Sequence, residues 1–332
     1  MKLVWEKFRK NVDGKTCVTG RDRVLLSVSG GPDSMCMLGL FARLARVRRG
    51  LELAVVYVDH GLRPAEAVKE KMFVREAGRK LGIPVEVRKA GSLRKMKKAG
   101  TEAAARKARY AVLEKVAAER GCSMIATGHN LNDQVETVML NLLRSTGEDG
   151  IAGIPYVRKL PSGIPVIRPL LSIRRYEIMS YLKQRGIRYR IDSSNRKLVF
   201  TRNRLRRKVL PLLEDINPGV YEHIGNLAEW NMLRDRYVGG AVRTAAGKIT
   251  NKCGRNSFKL EINRFIKYNE YLRYKLINYL LISLSGSKRG LYSKFSREIT
   301  EFASGRGTMI KAGPFECRRR KKYFVISRTG NR

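Results

Sequence analysis

The feature that most constrains the fold is a regular alternation of short apolar runs and helical stretches through the first part of the chain. The apolar runs at residues 24–28, 53–58, 85–87 and 124–127 start roughly one βαβ unit apart, about 30 residues. Between them, residues 34–48, 66–81 and 101–120 read as helices. Met35, Leu38, Phe41, Leu44 and Ala45 mark one buried face in the first, and Tyr110, Leu113 and Ala117 in the third. This order predicts an α/β fold: a doubly wound parallel sheet with helices on both faces.

Sheets of this kind bind ligands beyond the carboxyl ends of their strands. Three polar or glycine-rich segments fall there: Ser29-Gly30-Gly31-Pro32-Asp33-Ser34, Asp59-His60-Gly61-Leu62-Arg63 and Gly128-His129-Asn130. They are expected to share one cleft. In the first, adjacent glycines permit positive φ and close backbone approach, and the following helix start aims free N–H groups at an anion. Ser29 and Ser34 add hydroxyl donors, and Asp33 is the candidate to hold a magnesium ion bridging phosphates. A tight turn capped by Asp33 or Ser34 is the simpler reading, which the full six-residue loop after a buried strand disfavours. No Gly-Lys-Ser/Thr follows at the spacing of a Walker loop. His60 and His129 are the candidate histidines for nucleotide contact.

Asp133 and Glu136 stand three apart at a helix start, so both carboxylates share a face beside the cleft. They could grip an ammonium group or help hold magnesium, although acidic residues also favour helix N-termini for their own sake. Arg109 neighbours Arg106 and Lys107, and Arg202 and Arg206 lie in a basic run, so a solvated basic face competes with a catalytic role for all three.

Past a helix at 131–145 the pattern changes to a Gly/Pro-punctuated stretch at 147–169, then a basic amphipathic helix at 173–184. Residues 214–219, Glu-Asp-Ile-Asn-Pro-Gly, read as a linker. The expected domains are 1–215, carrying the cleft, and 216–332, smaller, basic and mostly helical, whose dispersed Lys and Arg are expected to grip RNA, ending in a small β element with Arg318-Arg319-Arg320-Lys321-Lys322.

Lys and Arg number 69 against 29 Asp and Glu, a formal charge of +40. Such an excess calls for a polyanionic partner. No apolar run reaches the ~18 residues of a membrane span, and the N-terminus lacks a secretory signal pattern, so a cytoplasmic protein without membrane association is expected. The five cysteines are odd in number, widely spaced and never C-x-x-C. Neither a disulfide framework nor a zinc site is suggested.

Ser-Gly-Gly-x-Asp-Ser resembles the PP-loop of the N-type ATP pyrophosphatases, the adenine nucleotide alpha hydrolase-like fold. Val58-Asp59-His60-Gly61-Leu62-Arg63-Pro64, Ala108-Arg109-Tyr110, Gly128-His129-Asn130-Leu131-Asn132-Asp133-Gln134-Val135-Glu136-Thr137, Arg168-Pro169-Leu170-Leu171, Asp192-Ser193-Ser194-Asn195 and Thr201-Arg202-Asn203-Arg204-Leu205-Arg206-Arg207 are similar to motifs of the tRNA(Ile)-lysidine synthetases. The likeness is dense from about Arg23 to Leu213 and looser beyond. It implies that ATP, with Mg2+, adenylates oxygen 2 of the wobble cytidine in the CAU anticodon of tRNA(Ile). Free L-lysine then attacks carbon 2, and AMP and pyrophosphate are released. It further implies Arg109 near the α-phosphate, Asp133 and Glu136 on the lysine, Asp133 as proton acceptor, and Arg202 and Arg206 in the active site. A homodimer is compatible with this resemblance, and the sequence leaves the oligomeric state open. A tRNA thiolation enzyme of the same group would need paired cysteines or an iron-sulfur site, and a non-catalytic RNA-binding relic would show a damaged loop. Neither pattern is present.

Overall fold

Strand β1 (Arg23–Ser27) forms the axis of the first sheet. It pairs in parallel with β2 (Glu52–Asp59) on one side and β4 (Met124–Thr127) on the other, with Leu25 opposite Ala54 and Ile125. The computed structural model describes residues 2–59, 64–90, 102–144, 150–191, 201–254, 256–286, 292–304 and 307–329. Beyond β2 lies β3 (Val85–Lys89), and beyond β4 lies β6 (Pro165–Ile167), both parallel. The short β5 (Val157–Lys159) closes that edge antiparallel, giving the order β3-β2-β1-β4-β6-β5. The expected strands recur within a residue or two. The β5–β6 hairpin was not expected, because three-residue strands in a Gly/Pro-rich stretch carry too few residues to show a period.

Both faces of the sheet are covered, and the two-residue strand period divides its side chains between two cores. Val24 and Leu26 of β1, with Val55 and Tyr57 of β2, pack beneath helices α1 (Lys2–Asn11), α2 (Pro32–Val47) and, after α3 (Pro64–Leu81), α4 (Glu102–Glu119) and α5 (Leu131–Leu143), the sixth helix α6 (Arg175–Gln184). Leu25, Val56 and Ile125 point the other way, against Tyr110, Leu113 and Val116 of α4. Pro32 at the first position of α2 has the φ a helix start requires and lacks only an N–H that would go unpaired there. Phe8 of α1 meets Phe41 of α2 edge to face, with ring centroids 5.2 Å apart.

A helical stretch, α7 (Thr201–Arg204), a π turn (Leu205–Val209) and α8 (Leu210–Ile216), then leads into the long α9 (Val220–Ile249). Leu210 and Tyr221 are buried against Leu131 and Val135 of α5. Arg174 joins them: its guanidinium pairs with Glu214 and, at 3.6 Å, with Glu222, and it lies over the Tyr221 ring. The first turns of α9 are thereby held to the first compact unit, which runs from Met1 to Asn231. Of the expected linker at 214–219, Glu214, Asp215 and Ile216 are the end of α8 and Asn217-Pro218-Gly219 forms the turn into α9, while the compact units divide further on, inside α9.

The second unit, Met232–Arg332, combines helices with a five-stranded antiparallel sheet. Its strands β7 (Thr250–Lys252), β8 (Ser257–Glu261), β9 (Met309–Ala312), β10 (Phe315–Arg320) and β11 (Tyr323–Arg328) run in the order β7-β8-β11-β10-β9. Cys317, Phe324, Ile326 and Leu260 face a helical layer that includes Leu276, Leu280, Phe295 and Ile299. The helical content matches the expectation for this region, and the sheet extends well past the terminal β element read from the sequence. Among the described residues no helix is long and apolar enough to cross a membrane.

Phe8 is fully buried, so Phe8→Ala removes a ring from the sheet core at a cost of about 3–5 kcal/mol. Urea unfolding of the variant is expected to show that loss in its midpoint, with an unchanged slope.

Candidate active site

The strand order reverses between β1 and β4, which opens a crevice beyond their carboxyl ends. The loop Ser29–Ser34 fills the β1 side. Gly30 adopts φ +84, a conformation that side-chain-bearing residues rarely reach. The Ser34 hydroxyl donates to the Gly31 carbonyl at 2.9 Å and accepts from the Ser29 N–H at 3.2 Å, so the loop closes on itself. Arg190 N–H donates to the Gly30 carbonyl at 2.9 Å and braces the turn from outside. Gly31 caps α2 with no side-chain cap bond, leaving the first N–H groups of the helix to face an anion.

The β4 side is packed directly onto this loop. A Cβ added at Gly128 would come within 3.2 Å of the Asp33 carbonyl carbon and the Ser34 nitrogen. Asn130 caps α5, its Oδ1 accepting from Asp133 N–H at 3.1 Å, while the Asp133 carboxylate accepts from Asn130 N–H at 3.2 Å. This capping box turns the other end of the same amide outward, and Asn130 Nδ2 donates to Asp33 Oδ1 at 2.9 Å. Arg175 at the start of α6 donates to Asp33 Oδ2 at 2.6 Å. Asp33 is thus a junction between three elements.

Asp133 and Glu136 do project on one face of α5, towards α7 and the π turn. Glu136 is 1% exposed, and both of its oxygens are taken: Arg202 Nε donates to Oε2 at 2.7 Å, Arg206 Nε to Oε1 at 2.5 Å and Arg206 Nη2 to Oε2 at 3.0 Å. Arg202 Nη2 also reaches Asp133 at 3.3 Å. Burial raises the Asp133 carboxyl above its ordinary value and prevails over the opposing charge of Arg202. Four of the residues singled out from the sequence therefore form one network.

Arg109 belongs to a different group. It lies with Arg106 and Arg158 around the ring of buried Tyr110. His129 follows β4, its Nδ1 3.0 Å from the Thr127 hydroxyl. Burial, then the charges of Arg168, Arg106, Arg109 and Arg202, push its pKa well below the ordinary value, so the ring is neutral. His60, with Gly61, Leu62 and Arg63, lies outside the described residues, as does Asp192-Ser193-Ser194-Asn195. Sequence reasoning assigned no role to Asn130, Arg168 or Arg175. The Asn-x-x-Asp spacing of a capping box was the available signal for Asn130, whereas Arg175 is one arginine among many until the fold brings it to Asp33.

A glycine turn running into a helix, at the switch point of a parallel sheet and beside a second capped helix, defines a nucleotide-phosphate site. The model of the PP-loop domain matches residues 4–213, and the chain belongs to that family. It is 39% identical over 230 residues to a protein of Symbiobacterium thermophilum named tRNA(Ile)-lysidine synthase, covering 68% of this chain and 47% of that one. A protein of the same name from Dehalococcoides mccartyi is 36% identical over 256 residues, covering 75% and 52%. The chain spans about half the length of these curated relatives. The U34-tRNA thiolase NcsA of Methanococcus maripaludis, solved with its [4Fe-4S] cluster, shares the fold at a TM-score of 0.59 and 22% identity, over 69% of this chain and 78% of that one.

Two outcomes follow from the site's geometry. Gly128→Ala brings a methyl group to 3.2 Å from the loop backbone, which must shift by a few tenths of an ångström to admit it, and is expected to weaken ATP binding about tenfold or more, read by calorimetric titration; a cost near 1.4 kcal/mol corresponds to that factor. The second concerns pH. Because the folded-state pKa of His129 is depressed, the unfolded chain takes up the proton first as pH falls. His129 therefore contributes a loss of stability that begins below about pH 6.5 and is absent above it. Comparing the unfolding free energy of the unaltered chain and His129→Gln between pH 7.5 and pH 5 is expected to show the steeper acid decline in the unaltered chain.

Proposed function

We propose that the chain is a tRNA(Ile)-lysidine synthetase, joining free lysine to the wobble cytidine of a CAU anticodon at the expense of ATP. The observation that carries this reading is the juxtaposition of an anion cradle, Ser29–Ser34, with a carboxylate pair, half-buried Asp133 and buried Glu136, after neighbouring strands at one crevice. A reaction that activates oxygen 2 with ATP and then admits a cationic amine needs both polarities side by side. The named relatives and the +40 charge support the same reading.

In the first step the cytidine oxygen attacks the α-phosphorus, and the α–β bond breaks to release pyrophosphate. Gly30, Gly31, Pro32 and the α2 N-terminus would hold the departing phosphates, with Ser29 and Ser34 maintaining the shape of the loop. Arg109 would balance charge at the α-phosphorus. In the second step the lysine amine, having lost a proton, attacks carbon 2, and the oxygen leaves as part of AMP. The raised pKa of Asp133 makes it a stronger base than an ordinary carboxylate, which suits it to take that proton. Glu136 and Asp133 would receive the lysine. In the present arrangement guanidinium groups hold those oxygens, so lysine binding exchanges one cation for another and frees Arg202 or Arg206 to turn towards the nucleotide.

Asp33 suits magnesium as a single carboxylate at the phosphate loop. Among the described residues no cluster of three or more metal-ligating side chains exists, and a magnesium ion that takes most of its ligands from phosphates and water needs none. When bound it would neutralise charge on the leaving pyrophosphate, at the cost of Asp33 loosening from Asn130 or Arg175. Thiol chemistry fits poorly: Cys36 and Cys122 are buried in the sheet domain, and burial pushes both thiols up, away from the reactive thiolate.

Incubation with ATP, lysine and an isoleucine tRNA transcript bearing CAU, followed by nucleoside mass spectrometry, is expected to yield lysidine; folded protein that yields none refutes the assignment. Glu136→Gln is expected to raise the KM for lysine at least tenfold while ATP–pyrophosphate exchange with tRNA persists. Lysine KM unchanged in that variant would remove Glu136 from the lysine site.

A further inference from the structure

Four arginines converge on one side of the first unit, with no carboxylate paired to them among the described residues. Arg106 and Arg109 lie near the start of α4, Arg158 on β5 and Arg168 just past the end of β6. The guanidinium carbons of Arg158, Arg109 and Arg106 sit 4.7, 5.5 and 5.6 Å from the centre of the Tyr110 ring. Arg168 is 1% exposed, and its Nη1 donates to the Pro155 carbonyl at 2.6 Å, while its Nε has no partner. Arg109 Nε is likewise unpartnered, while the buried Tyr110 hydroxyl has the Arg168 guanidinium as its neighbour. Among the described residues no acidic side chain pairs with any of the four. Burial alone would raise the Tyr110 phenol, yet the charges of Arg168, Arg106 and Arg109 draw it below its ordinary value.

Clustered guanidinium groups repel one another, and a buried one with an idle donor costs stability until an anion arrives. We propose that Arg106, Arg158 and Arg168, arranged around Tyr110, form a phosphodiester site for the RNA strand, separate from the phosphate loop. Separation follows from the sheet. The loop leaves β1 and Arg168 follows β6, with β4 between them, so two strand spacings, about 10 Å, divide the sites. The loop feeds α2, on one face, and Tyr110 belongs to the opposite face with α4; Arg109, assigned above to the α-phosphate, is not counted in the site. Arg106 and Arg158 are exposed, so a strand passing over the rim can reach them, while Arg168 waits at the base. Guanidinium groups over the Tyr110 ring leave it unsuited as a stacking platform, so the site takes phosphate oxygens and not a base. The RNA partner rests on the function proposed above; the site itself does not require turnover.

The test uses the full chain and a fluorescein-labelled RNA stem-loop carrying CAU in its loop, read by anisotropy across a salt series, with ATP binding measured separately by calorimetry. The double variant Arg106→Ala/Arg158→Ala alters only exposed side chains. It is compared with Lys10→Ala/Lys183→Ala, which removes the same charge from the other face. The expected result is a loss of RNA affinity of about tenfold or more in the arginine pair, with a salt slope shallower by about 0.7 for each phosphate contact removed. The lysine pair is expected to lose less than about half its affinity, and ATP affinity to stay unchanged in both. An equal loss in the two pairs would reduce the cluster to general surface charge and overturn the site. So would a fall in ATP affinity in place of RNA affinity. If the unaltered chain binds no RNA at all, the RNA-directed function falls with it; if it binds and the arginine pair binds equally well, only this site falls.

Discussion

The Asp33 carboxylate is the tie on which the crevice depends. One oxygen accepts from Asn130, the cap of α5, and the other from Arg175, the first residue of α6. Arg175 is fixed in turn by its backbone N–H, which donates to Asn132 at 2.9 Å, so Asp33, Asn130, Asn132 and Arg175 close a ring of side-chain and main-chain bonds. Each member is set by local structure: Asp33 by the first turn of α2, Asn130 by a reciprocal cap, Arg175 by the entry to α6. The loop, the carboxylate helix and a helix from further along the chain are thus registered through one side chain. Its two bonds involve a charged group, which makes them stronger than neutral ones.

Charge is distributed around this tie in an uneven way. The few carboxylates of the site are committed: Asp33 to Arg175, Glu136 to Arg202 and Arg206. A buried carboxylate held by two guanidinium groups is costly to leave unpaired, about 3–5 kcal/mol in comparable cases, so any cation that enters must replace what it removes. Among the described residues the arginines around Tyr110 have no such partners, and His129 feels the charge of Arg202 from the balanced group and of Arg106, Arg109 and Arg168 from the unbalanced one.

Much of this could be read from the residues alone, because the signals were periodic or local. The β1–β4 strands, the helices between them and the loop Ser29–Ser34 follow from spacing and from the conformational needs of glycine. The convergence of Asp133 with Glu136 follows from helix geometry. What escaped was set by long-range packing. In a chain with 69 basic residues, nothing local marks Arg175 off from the rest, and Arg168 stands out only as part of the Arg-Pro-Leu-Leu motif, without a role. Arg109, Arg202 and Arg206 looked alike in sequence, yet two hold Glu136 and one faces Tyr110. The antiparallel sheet of the second unit was only half legible, since β7 has three residues and β10 is interrupted in pattern by its arginines.

The last strand of the first sheet, β5, bears on a hazard unrelated to chemistry. An open sheet edge offers unpaired amide and carbonyl groups to any other extended chain, and long apolar edges recruit such chains into aggregates. Here the edge is three residues long and exposed, and two of the three are Arg158 and Lys159. A second copy approaching along this edge meets like charge before it can form a ladder. A sheet whose centre is apolar on both faces can therefore stay dispersed at the concentrations a working cell requires, without spending a helix to cover its rim.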